Sequence, residues 1–182
     1  NTNDILHRII SNGEMITKNV VKTYGPSMDI QMSSNFERQL FESLNFNSDE
    51  LISIMNSFIY QGGSKLNEEI VENLSTIYRS YTVTDQEILK TIKLFSEKYN
   101  YLPDPHTANA LNILEKIDDP NSQNICLACA HPSKFNKAIK KATGKEADYP
   151  DSLKNIFSKK EKFNIFENDI ISIKEYIINN LS

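Results

Sequence analysis

The sequence predicts an α/β fold with a mainly helical middle. Three observations predict it. Capped helical periodicities recur from residue 48 to residue 99. Between 104 and 144 a helix, a turn, a short apolar run and a second helix follow one another, the order of an α/β unit. Hydrophobic residues make up 39% and charged residues 24% of 182 positions, enough apolar content for one real core.

Taken in order, residues 4–12 carry Ile5, Leu6, Ile9 and Ile10 at helical spacing, with Asn3 placed as N-cap and Gly13 as stop. Val20 and Val21 begin a predicted strand toward Tyr24, which the Gly25-Pro26 turn ends. Ser34 and Glu37 have capping-box spacing, and Phe36, Leu40, Phe41 and Leu44 form the stripe of the helix that follows. Asn47 or Ser48 caps a helix with Leu51, Ile52, Met55, Phe58 and Ile59, which Gly62-Gly63 terminates. The next helix shows Ile70, Val71, Leu74 and Ile77 on one side, and residues 81–83 fit a short strand. Thr84 and Glu87 repeat the capping box ahead of Ile88, Ile92 and Phe95.

Asp104 stands at an N-cap and Pro105 at the first helical position, so that Ala108, Leu111 and Leu114 face inward. Residues 118–122 have turn chemistry, and 125–130 read as a short buried strand. Pro132 opens a helix with Phe135, Ile139 and Ala142 that stops at Gly144. A short helix is expected over 151–157, then a solvated charge run at 158–163. The last helix carries Ile170, Ile173, Ile177 and Leu181 behind Asn168 as its cap.

A formal charge of -4 and spread lysines give no field to hold a nucleic-acid backbone. No apolar run reaches the length of a membrane span, and NTNDILHRII lacks the start of a signal peptide. A cytoplasmic protein is therefore expected. The first residue is not Met and a helix starts almost at once, which points to a piece of a longer polypeptide.

Two cysteines, Cys126 and Cys129, form a C-x-x-C. On a strand, residues three apart face opposite ways, so the two sulfurs would not share a metal, and no second pair exists. The plainer expectation is two small buried residues. No metal site is expected.

Three segments in order, NDILHR leading to GPSMDIQMSSNFERQLFE, then PDPHTANA, then ICLACAHPSKFNKAIKKATG, resemble threonine synthase, with TVTDQEILKTI between the first two. The resemblance implies the C-terminal part of a pyridoxal 5'-phosphate (PLP) enzyme of the tryptophan-synthase β-like fold, fold type II, with a mainly helical subdomain. It implies conversion of the small-molecule substrate O-phosphohomoserine and water to threonine and phosphate, a lyase reaction. On that basis residues 1–45 belong to the catalytic domain, 46–100 form a helical subdomain or insertion, and 101–182 return to the catalytic domain and its C-terminal helices.

The family's Schiff-base lysine and glycine-rich phosphate loop are expected upstream, so no catalytic residue is assigned in this chain, which alone should be inactive. Cys129 takes the place where the family usually brings a threonine hydroxyl to the pyridine nitrogen, and the same resemblance puts Asp104 and His106 at one edge of the ring. The plainer reading of Asp104 is a helix cap. His131 and Lys134 stand at a helix start that favours an anion, although a cap and a solvated lysine explain them equally. Asn35 and Arg38 share a helix face, and an Arg fork there suits the substrate phosphate; surface solvation is the alternative.

Two other functions remain open. A related PLP-dependent serine/threonine dehydratase shares the fold, but the A-H-P-S-K-F and S-S-N-F-E-R runs argue against it. A non-catalytic interaction module or inactive remnant would need a partner to complete its sheet, and self-association would follow from unpaired strand edges.

Overall fold

A computed structural model describes residues 1–117 and 123–180 of the chain. These divide into two compact units, Asn1–Asp148 and Tyr149–Ser182. The turn expected at 118–122 and the Leu181 end of the last helical stripe lie outside the described residues.

The first unit begins with helix α1, Ile5–Asn12, and strand β1, Glu14–Ile16. Gly13 makes the sharp corner between them at φ 75°. A Cβ there would also meet Val71 Cγ2 at 2.9 Å and Leu66 O at 3.0 Å, so glycine is required twice over. After α2, Phe36–Ser43, and α3, Ser48–Tyr60, strand β2, Gly63–Lys65, pairs antiparallel with β1, Met15 opposite Ser64. Helix α4, Glu68–Ile77, completes this half. Ile5, Ile9, Leu40, Phe58, Ile70 and Leu74 form its core, and burying each such side chain contributes about 1.5–3 kcal/mol.

One buried cation ties α1 to β1. Arg8 bonds Asp4 Oδ1 at 2.9 Å, Glu14 Oε1 at 2.7 Å, Gln31 Oε1 at 3.0 Å and the Ile16 carbonyl at 2.8 Å. Its charge is thereby fully matched, the condition on which an arginine can sit in an interior.

A second core is built by α5, Asp85–Tyr99, α6, Pro105–Leu114, and α7, Asn136–Thr143, around Val83, Ile88, Ile92, Ala108 and Ile139. The expected capping box is present at Thr84 and Glu87, Asp104 caps α6, and Gly144 ends α7 at φ 79°. Pro132 opens a 3-10 turn, Pro132–Phe135, that leads into α7.

Several expectations are corrected. Residues 20–24 form no strand, because Asn3 leaves the cap of α1 to bond the Val21 carbonyl at 2.7 Å and its N–H at 2.8 Å. Those bonds use the groups a neighbouring strand would need. Asp4 occupies the N-cap position of α1 instead. The Ser34 capping box does not form, since Asn35 is already helical and the helix starts one residue later. Residues 81–83 are not a strand, and Gly63 belongs to β2 rather than serving only as a helix stop.

The largest correction concerns 125–130. This segment is irregular rather than a buried strand, and Ile125 and Leu127 are 81% and 77% exposed. Among the described residues it makes no backbone-to-backbone hydrogen bond. Its apolar side chains thus have no sheet partner to bury them.

The second unit holds two 3-10 turns, Asp151–Leu153 and Ile156–Ser158, in place of the single short helix, and helix α8, Ile170–Asn179. Asp169, not Asn168, caps α8 by accepting the Ser172 N–H at 2.8 Å. Residues 158–163 are exposed as expected.

Candidate functional site

The sequence puts an acid, a proline and a histidine at the start of α6, and the fold turns them into a junction. Asp104 is 1% exposed. Its Oδ1 accepts the His106 N–H at 2.9 Å and the His106 Nδ1–H at 2.8 Å. Its Oδ2 accepts the Thr107 N–H at 3.4 Å, the Thr107 hydroxyl, and the Ala130 N–H at 3.2 Å. Burial pushes this carboxyl up, yet the hydrogen bonds from Thr107, His106 and Ala130 outweigh it and hold its pKa below the ordinary value. A carboxylate with that many donors is an anchor for backbone.

The ring of His106 is fixed on both nitrogens. Nε2 accepts the Ser27 N–H at 3.3 Å, so it carries no proton, and Nδ1–H is the donor to Asp104. Phe135 meets the ring edge-on at 4.8 Å between centroids. His106 therefore links the start of α6 to the 25–28 loop and to the Pro132–Phe135 turn.

Thr107 completes the junction by accepting the Cys129 N–H at 2.9 Å. Cys129 is thereby tethered on the wall of a cavity of about 540 Å³, which Asn1, Met28, Tyr81, Asn109, Ile113 and Leu127 also line. Cys126 lines the same cavity, and both sulfurs approach one carbonyl, that of Leu127, at 3.9 and 3.7 Å. The expectation of opposite faces and burial is thus corrected: Cys126 is half-buried and Cys129 exposed. Burial and the neighbouring Cys129 push the Cys126 thiol up, which makes it a poor thiolate nucleophile. No group of three metal-ligating side chains occurs among the described residues.

The remaining candidates lie elsewhere. Asn35 and Arg38 line a separate cavity of about 440 Å³ with Ser34, Glu37 and Phe41, at the uncapped start of α2. The side chain of His131 accepts the Ser133 N–H at 3.3 Å, capping its own turn. Lys134 is exposed, with Nζ 5.9 Å from the Phe135 centroid. Neither His131 nor Lys134 lines the Cys129 cavity.

The family pattern for the C-terminal part of threonine synthase matches residues 107–177, which include Thr107, Cys129 and the turn at Pro132. A threonine synthase of Schizosaccharomyces pombe is 34% identical over 174 residues, covering 82% of this chain and 34% of its own length. One from Pseudomonas aeruginosa is 28% identical over 179 residues, covering 97% and 38%. The crystal structure of a PLP-bound threonine synthase from Brucella melitensis superposes with a TM-score of 0.87 at 32% identity, over 98% of this chain and 38% of that one.

The chain belongs to the threonine synthase family. It corresponds to the C-terminal part, and it spans little more than a third of the relatives it matches. Its fold is that of the PLP-dependent threonine synthases, represented by an α-rich piece.

Within this stretch, sequence reasoning missed Thr107 and Asn109. Asn109 lines the Cys129 cavity, and its buried Oδ1 has no hydrogen-bond donor among the described residues. Periodicity offers no signal for either, since both sit on a helix whose apolar stripe explains their neighbours. Met28 and Tyr81 were equally hidden, because Met28 reaches the cavity from a single 3-10 turn, Pro26–Met28, and Tyr81 from an irregular segment.

Proposed function

We propose that this chain is the C-terminal part of an enzyme that converts O-phosphohomoserine and water to threonine and phosphate with PLP. One observation carries the reading. Cys129, inside the stretch that matches the threonine synthase C-terminal pattern, stands on the wall of a largely apolar cavity, its N–H held by Thr107 and the next amide, that of Ala130, by Asp104.

The donor set fits one edge of that coenzyme. Met28, Tyr81, Ile113 and Leu127 suit an aromatic ring, and the thiol can share a hydrogen bond with a pyridine nitrogen without forcing a proton onto it. Bound PLP supplies an electron sink for the amino acid's carbanion. Cys129 would hold the ring-nitrogen side. Asp104 and His106, enclosed behind it, would keep the thiol and the 25–28 loop in place. Arg38, with Asn35, would take the substrate phosphate through its planar fork, and His131 and Lys134 would add positive or hydrogen-bonding groups at the turn that starts with Pro132.

Arg79 is basic, but no lysine appears among the described residues that line the cavity. The covalent anchor would come from polypeptide outside this stretch, which in the relatives amounts to more than half of the length. We place the enzyme in the cytoplasm; no helix among the described residues is long and apolar enough to cross a membrane.

The test is a graft. This chain replaces the matching C-terminal part of the P. aeruginosa threonine synthase, and the purified chimera is given O-phosphohomoserine. Threonine and inorganic phosphate in equal amounts, dependent on added PLP, are expected. A folded chimera that takes up PLP and leaves the substrate untouched would overturn the proposal.

A further inference from the structure

We propose that Thr107 is a positioning residue that sets the placement of the Cys129 thiol. The proposal rests on the reading of Cys129 as the ring-nitrogen contact, and its first test does not depend on that reading.

The argument starts from what one hydroxyl can do. Thr107 Oγ1 owns a single proton and lone pairs. Asp104 Oδ2 accepts that proton, because a carboxylate held below its ordinary pKa has none to offer. The direction of the hydroxyl is thereby fixed, and a lone pair is left for the Cys129 N–H at 2.9 Å. The neighbouring Ala130 N–H goes to the same carboxylate oxygen at 3.2 Å. Two successive amides are therefore drawn to one buried anion, one directly and one through Thr107.

Residues 123–129 need this. They are irregular, they make no backbone-to-backbone hydrogen bond among the described residues, and Ile125 and Leu127 are exposed. Without a sheet to fix them, the position of the thiol depends on its own amide. Thr107 is itself buried and sits in the first turn of α6, which packs against α5, so the tether ends on a rigid element.

Thr107→Val keeps the branching and volume but removes the hydroxyl, and Thr107→Ser restores it. Amide hydrogen exchange is measured on the intact chain. In Thr107→Val, exchange at Cys129 is expected to rise about fivefold, the factor that loss of one ordinary hydrogen bond represents. The amides of Ile88 and Ile92 in the α5 core should keep their rates, and Thr107→Ser should return Cys129 to the parent rate. Thr107→Ala gives the same readout should the valine methyl not fit against Asp104. Unchanged exchange at Cys129, or an equal rise at Ile88, overturns the tether.

A double-mutant cycle on the chimera then asks what the tether serves. Thr107→Val and Cys129→Ala should each change PLP affinity and the absorbance of the bound coenzyme, and Thr107→Val should add nothing once Cys129 is alanine. A merely structural role predicts additive effects and would overturn the positioning role. No response to Cys129→Ala would instead remove the ring contact, and with it the purpose assigned to Thr107, even with the exchange result intact.

Discussion

Helices α5 and α6 start with the same chemistry in opposite surroundings, and this allows the worth of Asp104 to be isolated. Thr84 accepts the Glu87 N–H at 3.4 Å at the surface. Thr84→Ala frees groups that water can reach, and should cost about 1 kcal/mol. Asp104→Ala removes a cap as well, but it also strips donors on His106, Thr107 and Ala130 of a buried acceptor. Two groups left dry at about 1.5 kcal/mol each, added to about 1 kcal/mol for the cap, come to about 4 kcal/mol. Against a total stability of about 5–15 kcal/mol, that is a large share. Urea unfolding at neutral pH, followed by circular dichroism, measures both variants, and Asp104→Asn, which keeps one accepting oxygen, should fall between them. An Asp104→Ala loss no greater than that of Thr84→Ala would refute the reasoning, because burial would then add nothing to the cap.

Stability should also fall in acid with a sign set by the same carboxyl. Burial raises the Asp104 pKa, but the Thr107, His106 and Ala130 bonds lower it further, so the folded value lies below the unfolded one. Its contribution is whole above about pH 4 and is lost as pH falls through the folded value. Asp104→Asn should flatten that loss in an acid series of urea melts, and parallel curves for the two proteins would count against it. Glu87 acts in the same direction, its pKa lowered to about 2 chiefly by the hydrogen bond from Lys116 and then by Thr84. That pair is exposed, so about 1 M salt should erase most of its share while leaving that of Asp104. In the chimera, Cys129→Ser should keep activity within about tenfold of the parent, since a hydroxyl offers the same uncharged contact. Cys129→Asp should lose at least about 100-fold, because it puts a charge on an apolar wall and holds a proton on the ring. Equal phosphate release by both would remove Cys129 from the ring contact.

What the sequence disclosed follows from the range of the interactions. The caps at Asn47, Thr84 and Asp104 and the stops at Gly13 and Gly144 are settled within a few residues, and the structure has them. Asn3 was misplaced because its partner, Val21, is 18 positions away, and nothing local distinguishes a cap from a side chain that holds a distant loop. Arg8 and its four acceptors were hidden for the same reason, since a buried cation leaves no apolar periodicity. Strands β1 and β2, of three residues each, are too short for alternation to register. At the candidate site the cap chemistry of Asp104 was legible, while its reach to Ala130 and the link from Thr107 to Cys129 cross more than 20 positions.

The error at 125–130 explains more than the successes do. An apolar run states a demand for burial; it does not say which polypeptide meets it. Here Ile125, Leu127 and both cysteines line the cavity with Ile125 and Leu127 still largely exposed, and one end of the segment alone is anchored, at Asp104 and Thr107. Covering those two side chains would contribute about 3–6 kcal/mol at about 1.5–3 kcal/mol each. The relatives carry more than half of their length outside the matched region. The same cover would exclude water from the cavity, and the proposed chemistry gains most from a thiol and a ring held in a dry site. Cover for this segment and closure of the proposed reaction site would then coincide, with the buried Asp104 holding the Ala130 end of the segment in place.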